Sequence, residues 1–189
     1  MRTAILGGSF NPVHVGHLFL AEEVKRSLAY DRIVFVPANI PAHKGAIECI
    51  PGRERLAMLE RALAGIPYFA LDDSELRRGG VSYTIDTIPD IAVHFPSEGK
   101  LGLVVGDDLI EGFDRWKSAS ELASLVEIII ARRTTREPYP FPYPHRHLDN
   151  LFLPISSTDI RRRISKGEAY RHIVPEAVYE YIETHGLYR

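Results

Sequence analysis

Residues Gly7-Gly8-Ser9-Phe10-Asn11-Pro12-Val13-His14-Val15-Gly16-His17 join a short apolar run, Arg2 to Leu6, to a segment in which Leu18, Leu20, Ala21, Val24 and Leu28 recur at helical spacing. A strand that feeds a glycine-rich turn and then a helix starting near His14 leaves the first helical N–H groups without acceptors, at the positive end of the peptide dipoles. Such a turn is a ready anion site, and its glycines let the backbone approach the anion closely. The unit also constrains the fold, because a strand followed by a helix at this length is the first half of a parallel crossover.

His14 and His17 stand three residues apart, on one side of the first helical turn. Two imidazoles beside a bound phosphate suit the stabilisation of charge that grows during phosphoryl or nucleotidyl transfer. The alternative, one histidine capping and the other packing, is disfavoured by the surrounding Gly8, Phe10, Pro12 and Gly16. A zinc site made of His14, His17 and Cys49 is not expected, since a fourth ligand is not evident.

Further strands are expected at Ile33–Val36, Tyr68–Leu71, Leu101–Val105 and Val126–Ile130, each nearly continuous in apolar residues as for strands buried on both faces. Amphipathic helices are expected over Arg53–Leu63 and Ser118–Leu125, the second opening with a capping box of Ser118 and Glu121. Alternation of this kind predicts an α/β, Rossmann-like, doubly wound fold, with a mostly parallel sheet, helices on both faces and a helical C-terminal part from about residue 156. At 189 residues the expected organisation is one domain, 1–189. Ligands of such sheets lie beyond the carboxyl ends of the strands. The residues there are the polar and glycine-rich ones: Gly7-Gly8-Ser9, then Pro37 to Lys44, then Gly106-Asp107-Asp108, then Arg132-Arg133.

A net charge of −2 argues against a protein that coats nucleic acid or an anionic membrane. The lone Cys49 allows no intrachain disulfide and fits a reducing compartment. The apolar run after Arg2 is too short for a signal peptide, and no run reaches the roughly 18 apolar residues of a membrane helix, so a soluble cytoplasmic protein is expected. Pro138 to Pro144, Pro-Tyr-Pro-Phe-Pro-Tyr-Pro, predicts an extended surface excursion.

Near the other end, Ile155-Ser156-Ser157-Thr158-Asp159-Ile160-Arg161 offers hydroxyls at a helix N-terminus with an arginine one turn on. Both kinds of donor can serve one anion. The last helix is expected from about Pro175 to Gly186.

Gly8 to His17 together with Ile155 to Arg161 resembles the paired signature of the nucleotidyltransferase superfamily that carries His-x-Gly-His, and is most similar to the bacterial nicotinate-nucleotide adenylyltransferase family. Pro37-x-x-x-Pro41-x-His43-Lys44, Ser82-Tyr83-Thr84-x-Asp86-Thr87, Gly106-Asp107 with Trp116-Lys117, and the ending from Val174 to Tyr188 also look like that family. Ala42 stands where the family has a second proline, and Pro138 to His147 matches nothing in it. The class I aminoacyl-tRNA synthetases share the histidine element but pair it with a Lys-Met-Ser-Lys-Ser loop, which this chain lacks.

The resemblance implies adenylyl transfer from ATP to nicotinate mononucleotide, giving deamido-NAD and pyrophosphate, with Mg²⁺ held mainly by the ATP phosphates. It implies that Gly8, Ser9 and Phe10, with His14 and His17, hold the ATP phosphates, and that Ser156, Ser157, Thr158 and Arg161 hold the departing pyrophosphate. Lys44 then suits the incoming mononucleotide phosphate, Gly106 and Asp107 the ribose, and Tyr83, Thr84 and Trp116 the pyridine ring. Nicotinamide mononucleotide or phosphopantetheine as acceptor, and a non-catalytic nucleotide sensor, are the competing readings. The partners expected are small molecules, with neither nucleic acid nor membrane, and a homo-oligomer is left open.

Overall fold

The computed structural model describes residues 1–42, 49–134 and 140–189. The first unit is β1 (Thr3–Gly8) followed by α1 (Val15–Leu28), with His14 as the residue preceding the helix. Next come β2 (Arg32–Pro37), a two-residue β3 (Ile40–Pro41), α2 (Gly52–Leu63) and β4 (Phe69–Leu71). Two short elements, α3 (Ser74–Arg78) and β5 (Val81–Ser82), lead into α4 (Thr84–His94). The second half runs through β6 (Gly102–Gly106), a 3₁₀ helix Asp107–Arg115, α5 (Ala119–Leu125) and β7 (Glu127–Ala131). It closes with β8 (His145–Leu148), α6 (Ser157–Ser165) and α7 (Glu176–His185). Among the described residues no helix is long and apolar enough to cross a membrane.

The main sheet has the order β4-β2-β1-β6-β7-β8 and every pairing in it is parallel. Period-two alternation assigns its side chains to two cores. Ala4, Leu6, Ile33, Phe35, Val104 and Ile129 face the side covered by α1, α2, α6 and α7. Ile5, Val34, Val36, Leu103, Val105, Ile128 and Ile130 face the side covered by α4, α5 and the 3₁₀ helix. The chain winds outward from β1 through β2 to β4, then returns to place β6 on the other flank of β1. The sheet therefore reverses direction between β1 and β6, and a crevice opens beyond their carboxyl ends.

The five expected strands are present with ends shifted by at most two residues, and three more accompany them. β8 has the sequence His-Arg-His-Leu with only Leu148 buried, so hydrophobic pattern gives no warning of an edge strand held by its backbone pairing with β7. β3 and β5 form a separate two-stranded ladder too short for any pattern. The capping box at Ser118 is a correction. Ser118 lies in the left-handed region (φ 51°) and caps no backbone N–H with its side chain, because the chain enters α5 directly from the 3₁₀ helix, with Ala119 N–H bonded to Trp116 O.

Candidate active site

The glycine-rich turn is built around Phe10, 1 % exposed and in the left-handed region (φ 45°). Its ring packs against Phe35 (5.7 Å between centroids) and His17 (5.0 Å), and this burial holds a backbone conformation that costs an L-residue roughly 1–2 kcal/mol. The ring also lies under Gly8, where a Cβ would approach Phe10 Cζ to 3.2 Å. Gly8 O accepts from Ala38 N–H at 2.8 Å, which joins the turn to the loop after β2.

His17 Nδ1 accepts the backbone N–H of His14 at 3.2 Å, so the neutral ring carries its proton on Nε2. The two imidazoles stack at 3.7 Å. His14 is 3 % exposed, and neither of its ring nitrogens meets a hydrogen-bond partner among the described residues. Burial first, and the nearby Arg133 cation second, push its pKa down to about 3. His14 is thus a neutral imidazole at physiological pH, with one donor and one acceptor held ready.

That depression has a stability consequence with a definite sign. The unfolded state binds a proton near pH 6.5 while the folded state refuses one until about pH 3, so the contribution is complete above pH 6.5 and is lost as pH falls. Between pH 7 and pH 5 the wild type is expected to lose about 2 kcal/mol more stability than His14→Gln, measured by urea unfolding at both pH values. Identical pH dependence of the two proteins would disprove the assignment.

The C-terminal signature is fastened to the same turn. Ser157 Oγ donates to Pro12 O at 2.8 Å, Arg161 Nη1 to Asn11 O at 2.7 Å, and Tyr188 OH to Asn11 Oδ1 at 2.8 Å. Arg161 Nη2 reaches Thr158 Oγ1 at 3.3 Å, and Ser156 Oγ caps α6 by accepting from Asp159 N–H at 3.1 Å. Ser157 and Arg161, expected from the sequence as anion donors alone, therefore also act as staples for the turn. The N-terminus of α6 is brought beside that of α1, so two helix dipoles present positive ends to one space.

Gly106 closes β6 where a Cβ would come within 2.3 Å of Asp108 Oδ1 and 2.6 Å of Arg133 Cδ, so a larger residue would have to displace both side chains. The Asp107 carboxylate accepts from Arg133 N–H (2.9 Å), Thr134 N–H (3.3 Å) and the Thr134 hydroxyl (3.1 Å), and so holds the turn after β7. Tyr83 precedes α4 and Thr84 begins it. Trp116, half-buried, packs on Phe113 at 5.0 Å. Lys117 joins the two strips by bonding both oxygens of Asp86 (2.8 and 2.7 Å) with its ammonium 5.0 Å above the Tyr83 ring. Lys44 lies outside the described residues.

A cavity of about 280 Å³ at the sheet reversal gathers these parts: Gly8 and Ser9, His17, Thr84, Gly106, Trp116, and Ser156 through Thr158 with Arg161 all line it. His14 faces an adjoining cavity of about 250 Å³ that shares His17, Arg133 and Ser156 with the first. Tyr83 lines a third, which shares Thr84 and Trp116.

Three further residues shape this site beyond the expected set. Arg133, noted above only for its place just past a strand end, lines both the first and second cavities. Glu75, 8 % exposed, lies on the wall of the main cavity and accepts the Thr87 hydroxyl at 2.6 Å. Arg55, 1 % exposed, donates to Ser9 O (2.8 Å), Ala38 O (2.6 Å), Asn39 O (3.3 Å) and Ile50 O (3.3 Å). It occupies the apolar stripe Arg55, Met58, Leu59, Ala62, Leu63, and a charged residue on such a stripe was the available clue.

Residues 5–163 match the profile of the Cytidylyltransferase-like family. A Borreliella afzelii protein named "Probable nicotinate-nucleotide adenylyltransferase" is 41% identical over 188 residues, covering 100% of this chain and 97% of its own. Relatives of the same name from Treponema pallidum (37% over 203 residues, 100% of both chains) and Dehalococcoides mccartyi (38% over 198 residues, 100% and 97%) agree. The fold matches that of Plasmodium falciparum nicotinic acid mononucleotide adenylyltransferase complexed with NaAD, with TM-score 0.79, 18% identity and coverage of 99% and 97%. At this identity over essentially the whole of both chains, the chain belongs to the nicotinate-nucleotide adenylyltransferase family.

Proposed function

We propose that the protein transfers the adenylyl group of ATP to nicotinate mononucleotide, releasing pyrophosphate and deamido-NAD, as a soluble cytoplasmic enzyme of NAD biosynthesis. The observation that carries this reading is the meeting, in one cavity, of the Gly8–Ser9 turn, His17 and the α6 N-terminus with Thr84 and Trp116. The first group suits a polyphosphate, the second a flat ring with a carboxylate.

In this reading an oxygen of the mononucleotide phosphate attacks the α-phosphorus in line, a new P–O bond forms, and the bond to the β-phosphate oxygen breaks. No covalent enzyme intermediate is required, so the protein's work is positioning and charge stabilisation. Orientation of two bound reactants supplies up to roughly 7–11 kcal/mol of barrier reduction. Each fixed donor to developing charge supplies about 3 kcal/mol more. His17 Nε2–H and the turn amides meet the α-phosphate, the unpartnered His14 imidazole supports them, and Thr158, Arg161 and the first amides of α6 receive the departing pyrophosphate. Lys44 neutralises the incoming phosphate.

A magnesium ion is carried by the substrate rather than held by Glu75, on the cavity wall, or by Asp107, next to Gly106. Asp107 is bonded to Arg133 and Thr134, and Glu75 to Thr87. Mg²⁺ bound to ATP phosphates and water spreads their charge when present. Gly106, which lines the cavity, suits the ribose side, with Asp107 beside it holding the turn after β7. The amides at the start of α4, preceded by Tyr83, offer donors only, which favours a carboxylate over an amide on the ring.

Incubation with Mg-ATP and either nicotinate mononucleotide, nicotinamide mononucleotide or phosphopantetheine, with pyrophosphate and dinucleotide both measured, tests the reading. Deamido-NAD is expected at a kcat/KM at least about tenfold above either alternative product, the discrimination that roughly 1.4 kcal/mol provides. Preference for another acceptor by a folded preparation would overturn it.

A further inference from the structure

Residues 140–144, the described part of the proline- and tyrosine-rich segment, form no helix or strand, yet they pack on the wall that carries Trp116. The Phe141 ring meets Phe113 edge-on at 5.1 Å, and Tyr143 lies 5.5 Å from Phe113 and 5.4 Å from Phe141. Phe113 is fully buried and is the residue on which Trp116 rests, 5.0 Å away and tilted by 30°. Tyr143 OH also donates to Asp114 Oδ1 at 2.8 Å and lies 3.3 Å from Ser120 Oγ. The segment thus touches the element before Trp116 and the helix after it.

The element in between needs such support. Asp107–Arg115 is a 3₁₀ helix of nine residues, whereas runs beyond three or four are uncommon because their hydrogen bonds are poorly aligned. Its position is therefore set by what packs on it. The inner side of Phe113 belongs to the core, and Lys117 ties the far end to Asp86. Phe141 and Tyr143 supply a further contact, from a segment remote in sequence.

We infer that Phe141 and Tyr143 are positioning residues that brace Phe113 and thereby fix the Trp116 ring for the acceptor's aromatic base. This deepens the proposed function and rests on Trp116 touching the acceptor. Among the described residues no hydrogen bond or ring contact joins residues 140–144 to the glycine-rich turn, so the effect is expected on the acceptor side.

Trp116 is the chain's single tryptophan, so intrinsic fluorescence reports on this ring alone. Phe141→Ala is expected to red-shift its emission and to raise KM for nicotinate mononucleotide about tenfold, with kcat and the KM for ATP within about twofold of wild type. Phe141→Leu, which keeps the bulk, restores most of the loss. Tyr143→Phe, which keeps the ring and deletes the hydroxyl's bonds to Asp114 and Ser120, raises the acceptor KM about threefold and serves as the deciding variant if the alanine protein does not fold. Unchanged emission, an unchanged acceptor KM, or equal rises in both KM values would each overturn the brace. Trp116→Ala separates the two layers. If it raises the acceptor KM while Phe141→Ala and Tyr143→Phe do not, the brace alone fails; if it leaves the acceptor KM unchanged, the placement of the acceptor fails, and the brace with it.

Discussion

His17→Ala is expected to lower kcat by at least about two orders of magnitude while ATP affinity changes only a few-fold, as read from steady-state kinetics and ATP titration. The reason lies in how the ring is held. Its Nδ1 is committed to the His14 amide at 3.2 Å, one face is stacked on His14, and its edge meets Phe10. A donor oriented in this way costs no reorganisation when charge builds on the α-phosphate, so its benefit falls on the transition state rather than on bound ATP. His17→Asn, which retains an N–H, should recover part of the loss. Equal damage to ATP binding and turnover would make His17 a ground-state ligand and would remove it from the catalytic role.

Arg55→Met is expected to destabilise the protein by about 2–4 kcal/mol in urea unfolding, the cost of leaving buried carbonyls without donors. For a chain of this size that lowers Tm by very roughly 5–15 °C. The substitution keeps the volume but removes the fork that bonds Ser9, Ala38, Asn39 and Ile50. Burial holds the Arg55 pKa below its ordinary value, so relief of that desolvation offsets part of the loss, which is why the figure is not larger. Because Ser9 belongs to the glycine-rich turn that lines the cavity, kcat/KM should fall by at least about tenfold in the surviving folded protein. Wild-type stability in Arg55→Met would show that the four contacts contribute nothing net. Arg55→Lys keeps the charge without the planar fork and is expected to fall between the two.

Arg55 also illustrates which parts of the molecule were legible beforehand. The parallel sense of β1, β2, β4, β6 and β7 follows from short apolar runs alternating with amphipathic helices, while their order in the sheet does not. The anion turn was legible because glycines, two histidines and a helix start are contiguous, so local chemistry declares itself locally. β8 was not, since an edge strand needs only backbone partners and three of its four residues stay outside the core. Arg133 and Glu75 gave weak signals for a related reason. A charged residue on a loop or short helix looks the same in sequence whether it meets water or a cavity wall, and only packing tells them apart.

The histidines show the same division within a single motif. Their spacing alone put both rings beside a helix N-terminus. Their difference in role came from the fold: His14 is sealed in with its pKa pushed down to about 3, while His17 is half-buried and lines the cavity. Desolvation depends on every element packed around a ring, and no run of eleven residues specifies that.

What the amino-acid order determined by itself is therefore the set of local units: the strands, the helix starts and the two donor-rich segments near opposite ends of the chain. Backbone propensity, hydrophobic period and unsatisfied amides act over a few residues, and pattern reveals them directly. Tertiary structure alone decided that Ser157 and Arg161 would clasp the carbonyls of Pro12 and Asn11, about 150 positions away, and that Trp116 would line one cavity with the glycine-rich turn. A transfer between two bound molecules needs both held in one frame, and the sheet reversal between β1 and β6 provides that frame.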